Sequence, residues 1–270
     1  MRYQIEIAYD GTSFGGWQTQ KNSSCIQPLI EKALSTVLRE PISIIGSSRT
    51  DAGVHAHGQS AHFDTEQLFI PTKLLFSINA LLPGTIYVRC IQETSPAFHA
   101  RYSALCKIYH YRLHLEKFHD PFKRLYSYHI PYCLNLDLLR EGSHVFIGTH
   151  DFTSFANEAH QGAAANGAIR TIHRLDIAQE PGGIRLEFEG TGFLYKMVRN
   201  ITGTLIDIAR GKRPVGAVDT IFKARSRAYA GPSAPAHGLH LMKIEYAPQA
   251  LQKMQSEALP LKSFPLYVDV

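Results

Sequence analysis

The stretch RYQIEIA at Arg2–Ala8 alternates polar and apolar residues, which is the pattern of a half-buried β-strand. An amphipathic helix is predicted after it, because apolar residues recur at helical spacing at Ile26, Leu29, Ile30, Ala33, Leu34, Val37 and Leu38. Further along, the pattern predicts strands at Ile42–Ile45, Gly58–Phe63 and Ile86–Ile91, and a helix at Leu74–Leu82 that ends at Pro83–Gly84. The first half therefore has the predicted order β-α-β-β-α-β.

The second half starts with another alternating strand, KIYHYRLHL at Lys107–Leu115. The elements predicted after it are a helix at Leu136–Ile147, a hairpin of Arg170–Ala178 and Ile184–Glu189, a helix at Phe193–Ala209 and a strand at Leu239–Tyr246. This order predicts an α+β fold in which two ferredoxin-like halves place antiparallel sheets side by side, with a cleft between them for a large ligand. We expect an N-terminal domain at 1–104, a C-terminal domain at 105–246 and a tail at 247–270.

Composition excludes several classes of protein. The 270 residues are 44% apolar and include 14 Phe and 13 Tyr, which is enough for packed cores and excludes intrinsic disorder. No run reaches the roughly 18 apolar residues that a membrane span needs, and the N-terminus lacks the apolar segment of a signal peptide. We therefore expect a cytoplasmic protein without a membrane partner.

The positive charge is concentrated in one part of the chain. The net charge of the whole chain is +5, whereas Lys196–Arg227 alone carries eight Lys or Arg residues against Asp207 and Asp219. Such a patch attracts polyanions, of which nucleic acid is the commonest in the cytoplasm. A solvated surface of helix and loop explains the same charges equally well.

The loop SSRTDAGVHA at Ser47–Ala56 is the most informative short stretch. Asp51 followed by Gly53 is typical of an ordinary turn. Arg49, two residues before Asp51, would favour the charged form of the carboxylate if it lay within a few ångströms. A carboxylate in that state suits a nucleophile or a general base. The sequence leaves both interpretations open.

A metal site is an alternative use of the same region. His55 and His57 share one face of a strand, and His62 or Asp51 would complete a set of ligands. A metal-dependent hydrolase is therefore a second hypothesis. The spacing of the four cysteines offers no C-x-x-C pair for a structural zinc.

Two further groups could bind a ligand. Lys107, Tyr109 and Tyr111 share one strand face, where the rings either pack in the core or stack on a base beside a cation. On the predicted helix at Phe193–Ala209, one face is apolar and another gathers Lys196, Arg199, Asn200 and Gly203. Gly203 would allow a ligand or a second backbone to approach closely, and the polar face either binds or is simply exposed.

Taken together, these residues resemble the TruA-type family of bacterial tRNA pseudouridine synthases. The resemblance runs from Tyr3 to Tyr246 and rests on eight blocks: YDGTxFxGWQ at Tyr9–Gln18, RTDAGVHA at Arg49–Ala56, NALLP at Asn79–Pro83, FHAR at Phe98–Arg101, KxYxY at Lys107–Tyr111, HDFTSF at His150–Phe155, MVRNI at Met197–Ile201 and APAxGLxL at Ala234–Leu241. Two features depart from the family pattern: Ser48 replaces a glycine, and Gln161–Ala168 is poor in charge.

The resemblance implies an isomerase that converts uridine to pseudouridine at positions 38, 39 and 40 of the tRNA anticodon stem-loop. It implies Asp51 as the catalytic nucleophile, with Arg49 and Arg199 beside it, and Tyr109, Lys107 and Lys196 as residues that bind the substrate. Whether Asp51 attacks the ribose, deprotonates it or adds to the uracil ring stays open.

The resemblance also implies partners and the absence of cofactors. It predicts tRNA as the partner, held in a central RNA-binding cleft by a homodimer, with no cofactor and no metal. An RNA-binding protein that keeps the fold but lacks activity is a third hypothesis. The presence of Arg49, Asp51, Tyr109 and Arg199 argues against it.

Overall fold

The computed structural model describes residues 1–21, 23–157 and 167–248. Within these ranges it contains one sheet of ten strands and five helices. The strands are β1 (Arg2–Tyr9), β2 (Ile45–Gly46), β3 (His55–Asp64), β4 (Ile86–Thr94), β5 (Ala104–His114), β6 (Tyr128–His129), β7 (Gly148–Asp151), β8 (Ile169–Glu180), β9 (Gly183–Gly190) and β10 (Leu239–Tyr246). The helices are α1 (Ile26–Leu38), α2 (Pro71–Leu81), α3 (Leu136–His144), α4 (Met197–Ala209) and α5 (Ala217–Ala224).

The strand order is β4-β1-β3-β10-β5-β9-β8-β7, with β2 paired to β3 and β6 to β5. Neighbouring strands are antiparallel except for the β5–β6 and β3–β10 pairs. In the β3–β10 pair, His55 lies beside His240 and Ala56 beside Leu241. Because β10 also pairs along β5, it joins the strands of the first half to those of the second. The two sheets predicted to lie side by side are therefore continuous.

The first half has the predicted order β-α-β-β-α-β. Helix α1 buries the stripe that predicted it, including Ile26, Ile30 and Leu34, and ends where Arg39 takes a left-handed φ of 56°. Helix α2 begins at Pro71. A proline has no backbone N–H, and the first N–H groups of a helix have no acceptor within the helix, so nothing is lost at this position. The predicted strand at Ile42–Ile45 is reduced to the short β2, which pairs with β3 over only two residues.

In the second half, β10 has the predicted bounds. In the β8–β9 hairpin, β8 is three residues longer than expected and β9 is two residues longer. Helix α4 begins at Met197 instead of Phe193, because Lys196 has a left-handed φ of 59° that a helix cannot include. The sequence patterns missed β6, β7 and α5, which are two, four and eight residues long. Of Gln161–Ala168 and the tail 247–270, only 167–168 and 247–248 lie among the described residues.

The predicted polar face of α4 is wrong. Asn200 and Gly203 are buried, and the amide of Asn200 donates to the carbonyl of Phe155 at 2.7 Å. A Cβ on Gly203 would overlap the carbonyl oxygen of Pro232, so a second backbone lies directly on the helix. Of the two interpretations of Gly203, the close approach of another backbone segment is the one confirmed.

One apolar core extends from Ile5 and Ile7 of β1 to Ile201 and Leu205 of α4. Helix α3 packs against α4, and α1 against α2. Within the described part of the chain, no helix is long and apolar enough to cross a lipid bilayer.

We expect Gly203→Ala to destabilise the protein by about 1–3 kcal/mol or more, because the methyl group needs space that Pro232 fills. Urea denaturation measures the free energy of unfolding. The matched control is Gly84→Ala, since a Cβ at Gly84 meets no atom within 4 Å and its φ is not in the left-handed range. Equal stability of the two variants would contradict the packing described for α4.

Candidate active site

The loop that carries Asp51 connects β2 to β3 and is held by backbone hydrogen bonds from the first half. Trp17 N donates to Thr50 O at 3.0 Å, and Gly53 N donates to Phe14 O at 3.3 Å. Gly53 has the positive φ, 78°, that the turn interpretation requires. The turn is closed by the carbonyl of Asp51, which accepts from Val54 N at 3.1 Å. The carboxylate itself is therefore available for another partner.

The YDGTxFxGWQ block supports this loop by close backbone packing. A Cβ on Gly11 would overlap the carbonyl oxygen of Val54, and one on Gly16 would lie 2.6 Å from Thr50 O. The hydroxyls of Tyr9 and Thr50 are 2.7 Å apart in a buried hydrogen bond. These contacts fix the backbone on both sides of Asp51, which explains why glycines stand at these two positions.

The charge partner of Asp51 is Arg199, at the start of α4. Arg199 Nη1 donates to Asp51 Oδ2 at 2.7 Å, and Arg199 Nε donates to Ala234 O at 2.8 Å. The two side chains are only 13% and 15% exposed. Oδ1 of Asp51 accepts no hydrogen bond from a described residue. Arg49 is exposed and makes no ion pair with Asp51 within the described residues. The arginine beside the carboxylate is therefore Arg199, which is distant from Asp51 in the sequence.

Asp51 lies in a cavity of about 770 Å³. Among the described residues that line it, Asp51 is the only carboxylate, whereas the cations are Arg49, Arg101, Lys107 and Lys196. Residues of both halves form its walls, because Arg49 and Arg101 precede β5 and Lys196 precedes α4. An excess of positive charge around one carboxylate suits a polyanionic substrate that reacts at that carboxylate.

Tyr109 lines the same cavity from β5. Its ring is buried and meets Phe193 edge to face, with the centroids 5.3 Å apart. Burial raises the pKa of Tyr109 to about 12, and the charge of Asp51 acts in the same direction. The phenol therefore stays protonated at neutral pH and can donate a hydrogen bond. Tyr111, on the same strand face, donates to Pro235 O at 2.7 Å and has a structural role.

The two predicted lysines differ in their surroundings. Lys107 is partly buried, and its Nζ donates to Ser47 O at 2.7 Å. Burial lowers the pKa of Lys107 to about 8, with the charges of Arg101 and Arg170 acting in the same direction. Lys196 is half-buried, and its ammonium lies 5.2 Å from the centre of the Tyr195 ring. Both lysines line the cavity.

The structure does not bring His55 and His57 into a metal site. His55 Nε2 lies 2.9 Å from Leu125 O, and His62 Nδ1 accepts from Ala100 N at 3.1 Å. The described ranges contain no group of three or more His, Cys, Asp or Glu side chains that could hold a metal ion. His55 and His57 instead line a separate cavity of about 610 Å³ that does not include Asp51. The metal-hydrolase hypothesis therefore has no support in the geometry.

Sequence reasoning missed three residues of the cavity wall: Arg101, Tyr102 and Tyr195. Arg101 ends the FHAR block and was given no role. Tyr102 and Tyr195 are exposed aromatic residues that directly follow or precede a cation, Arg101 and Lys196 respectively. An aromatic residue next to a cation, just outside a recognised block, is the signal that could have found them.

Comparison with known proteins identifies the class to which this fold and site belong. A family model described as tRNA pseudouridine synthase matches residues 6–103 and 143–247. The chain belongs to this family, and the predicted isomerase activity, formation of pseudouridine in tRNA, is confirmed. Asp51 and Arg199 lie within the matched segments, and Tyr109 lies between them.

Individual relatives match over most of their length. The chain is 51% identical over 245 residues to tRNA pseudouridine synthase A 1 of Protochlamydia amoebophila, covering 90% of this chain and 96% of the relative. It is 42% identical over 248 residues to tRNA pseudouridine synthase A of Bacillus licheniformis and 41% identical over 248 residues to that of Bacillus subtilis, covering 91% of this chain and 99% of each relative.

We expect the unfolding free energy of the wild type to rise relative to that of Lys107→Met as the pH increases from about 8 to about 10. Burial makes Lys107 bind a proton less readily in the folded state than in the unfolded state. The unfolded state therefore holds more protons in this pH interval, and the free energy of unfolding increases as the pH rises. Below about pH 8 the amine is protonated in both states, and the difference between the proteins should be constant. Urea denaturation at a series of pH values measures this difference in the free energy of unfolding.

Lys223→Met, at an exposed lysine, controls for the loss of a positive charge. If the difference between wild type and Lys107→Met stays constant or falls over the upper interval, the burial of a titrating amine at this position is contradicted.

Proposed function

We propose that this protein isomerises uridine to pseudouridine at positions 38, 39 and 40 of the tRNA anticodon stem-loop, with Asp51 as the catalytic nucleophile. The observation that carries the proposal is a single carboxylate, paired with Arg199, in a cavity whose other charged lining residues, among those described, are all Lys or Arg. The reaction is local to one nucleoside. The cations bind the RNA around it, and the carboxylate acts on it.

The chemistry needs only one carboxylate. Isomerisation breaks the bond between N1 of uracil and C1′ of ribose, turns the base, and joins C5 to the same C1′, while C5 loses a proton and N1 gains one. The detached uracil is both the leaving group and the returning nucleophile, so neither a redox cofactor nor a second substrate is required. A glycosidase that hydrolyses such a bond would typically use two carboxylates and a water molecule. The cavity offers Asp51 alone among its described lining residues.

The side chains around Asp51 have separate roles in this proposal. Arg199 holds Oδ2 and thereby directs Oδ1 to the substrate. Attack on C1′, deprotonation of the ribose and addition to the uracil ring each use that oxygen. The protonated hydroxyl of Tyr109 donates a hydrogen bond to the target uracil. The base must leave the stack to reach it, which costs a few kcal/mol.

The cations position the RNA. Arg49 is exposed at the cavity and is free to contact the RNA chain beside the flipped nucleotide. Lys107 and Lys196 bind phosphate groups, which fixes the register of the RNA without reading its sequence. An enzyme that modifies three adjacent positions requires contacts of this kind.

The finer architecture belongs to the same proposal. We infer two ferredoxin-like halves, at 1–104 and 105–246, with the RNA in the cleft between them. The support is that Asp51 comes from the first half, Arg199 comes from the second, and both halves line the cavity. The cytoplasm, where tRNA is processed, is the proposed location.

We expect Asp51→Asn to reduce the rate of pseudouridine formation by at least about 10³-fold, because the amide is neither a nucleophile nor a base. The substrate is an unmodified tRNA transcript with uridines in the anticodon arm, without added metal or cofactor, and the product is mapped by base-specific chemical adducts. Arg199→Lys, which keeps a charge but loses the paired donors, should be impaired but not inactive.

Binding of the transcript, measured in parallel, separates the hypotheses. The Asp51→Asn variant should bind within a few-fold of the wild type, since the carboxylate repels phosphate. Product at positions 38–40 from the wild type and none from the variant supports the proposal. No product from the wild type, with tight binding by both proteins, would identify an RNA-binding protein that lacks the activity.

We also propose that the enzyme is a homodimer that holds one tRNA across two subunits. Sedimentation or light scattering at micromolar protein should give twice the mass of one chain, which is 30.2 kDa. A monomeric mass at that concentration, with full activity, would contradict this part of the proposal.

A further inference from the structure

We propose that Tyr102 and Tyr195, one from each half of the chain, are stacking platforms for the two nucleotides that flank the target uridine. This inference rests on the proposed function. It adds two binding subsites for nucleobases to a site whose other residues act on the target nucleoside or on phosphates.

Tyr102 belongs to the wall formed by the first half. It lies in the segment between β4 and β5, lines the cavity that contains Asp51, and is 77% exposed. The ring of His99 supports it, with the centroids 4.3 Å apart and the planes at 31°. The guanidinium of Arg101 lies 5.7 Å from the ring centre. The tyrosine is thus fixed in place while most of its surface faces solvent.

Tyr195 belongs to the wall formed by the second half. It lies between β9 and α4, lines the same cavity and is 48% exposed. Lys196 lies 5.2 Å from the ring centre, and the carbonyl of Tyr195 accepts from Asn157 N at 3.1 Å. The left-handed backbone of Lys196 turns the chain into α4 directly after this ring. Here too an exposed ring is held beside a cation.

An exposed aromatic ring beside a cation suits a nucleobase flanked by phosphates. Every base has a π-face, so stacking tolerates any sequence, and one stacked base contributes about 1–3 kcal/mol to binding. When the target uridine is flipped toward Asp51, its two neighbours lose a stacking partner. Tyr102 and Tyr195 come from different halves of the chain and line the cavity that contains Asp51, so each can replace that partner. Sequence-tolerant stacking also allows one site to serve three adjacent uridines.

The test uses the full-length protein and anticodon stem-loop RNAs with one target uridine. The variants are Tyr102→Leu and Tyr195→Leu, with Tyr102→Phe and Tyr195→Phe to keep the ring. Tyr87→Leu is the matched control, because Tyr87 is 54% exposed but lines the separate cavity. Thermal unfolding checks that each variant is folded, which exposed positions should permit.

Each leucine variant should raise KM, and weaken binding of the RNA, by about 5- to 150-fold, with kcat within a few-fold of the wild type. Each phenylalanine variant should stay near the wild type, and so should Tyr87→Leu. A direct readout is 2-aminopurine placed immediately 5′ or 3′ of the target uridine, whose fluorescence is quenched by stacking. Each leucine variant should relieve the quenching in one of the two RNAs.

Leucine variants with wild-type KM and unchanged quenching would overturn the inference. Phenylalanine variants as weak as the leucine variants would also overturn it, because the hydroxyl and not the ring would then be the group that binds. Quenching and affinity are measured in the Asp51→Asn background as well, where no turnover is needed. Failure of the proposed reaction is therefore distinguishable from failure of the stacking subsites.

Discussion

The ion pair between Asp51 and Arg199 is the interaction on which the site depends, since it joins residues 148 positions apart. Both side chains are mostly buried, and a buried charge without its partner is strongly destabilising. Each half of the chain therefore supplies a charge that the other half must compensate. The pair also decides the chemistry, because it occupies one carboxylate oxygen and leaves the other for the substrate.

The geometry of this pair is maintained by backbone packing more than by side chains. On the Asp51 side, Gly11 and Gly16 allow the segment Tyr9–Gln18 to lie against the backbone of the loop that carries Asp51. On the Arg199 side, Gly203 lets the segment around Pro232 rest on α4, which brings Ala234 O to the guanidinium. The YDGTxFxGWQ and APAxGLxL blocks act in this way. They place the backbone around a few reacting atoms.

The predictability of the fold follows from which contacts are local. Helix α1 and strand β10 were predicted nearly to the residue, because the apolar residues in their sequences recur at roughly helical or strand spacing. The β3–β10 pairing was not predicted, since it consists of two residue pairs between distant segments and leaves no trace in periodicity. Asn200 and Gly203 were misjudged for a related reason. Both residues contact segments outside the α-helices and strands, around Pro232 and at Phe155. Such segments have no periodic sequence pattern that would predict packing against the helix.

The site shows the same limit. Strand parity placed Lys107 and Tyr109 on one face, and the structure puts both in the cavity. Nothing in the spacing could bring Arg199 to Asp51. The family resemblance placed it there, together with Arg49, and did not distinguish between the two arginines. Tyr102 and Tyr195 escaped notice because each is an ordinary tyrosine until the fold brings it to the wall of the cavity beside Asp51.

The position of β10 has a consequence for how the protein is made. On the edge away from β1, strand β3 pairs with the short β2 at Ala61 and His62 and with His240 and Leu241 of β10 at its start. At about 5–20 residues per second, the ribosome needs roughly 10–40 s to pass from β3 to β10. During that time part of the β3 edge is unpaired, and an unpaired strand edge is a known site of aggregation. The nascent chain thus remains without a continuous sheet, and without an assembled cavity, until β10 has been translated.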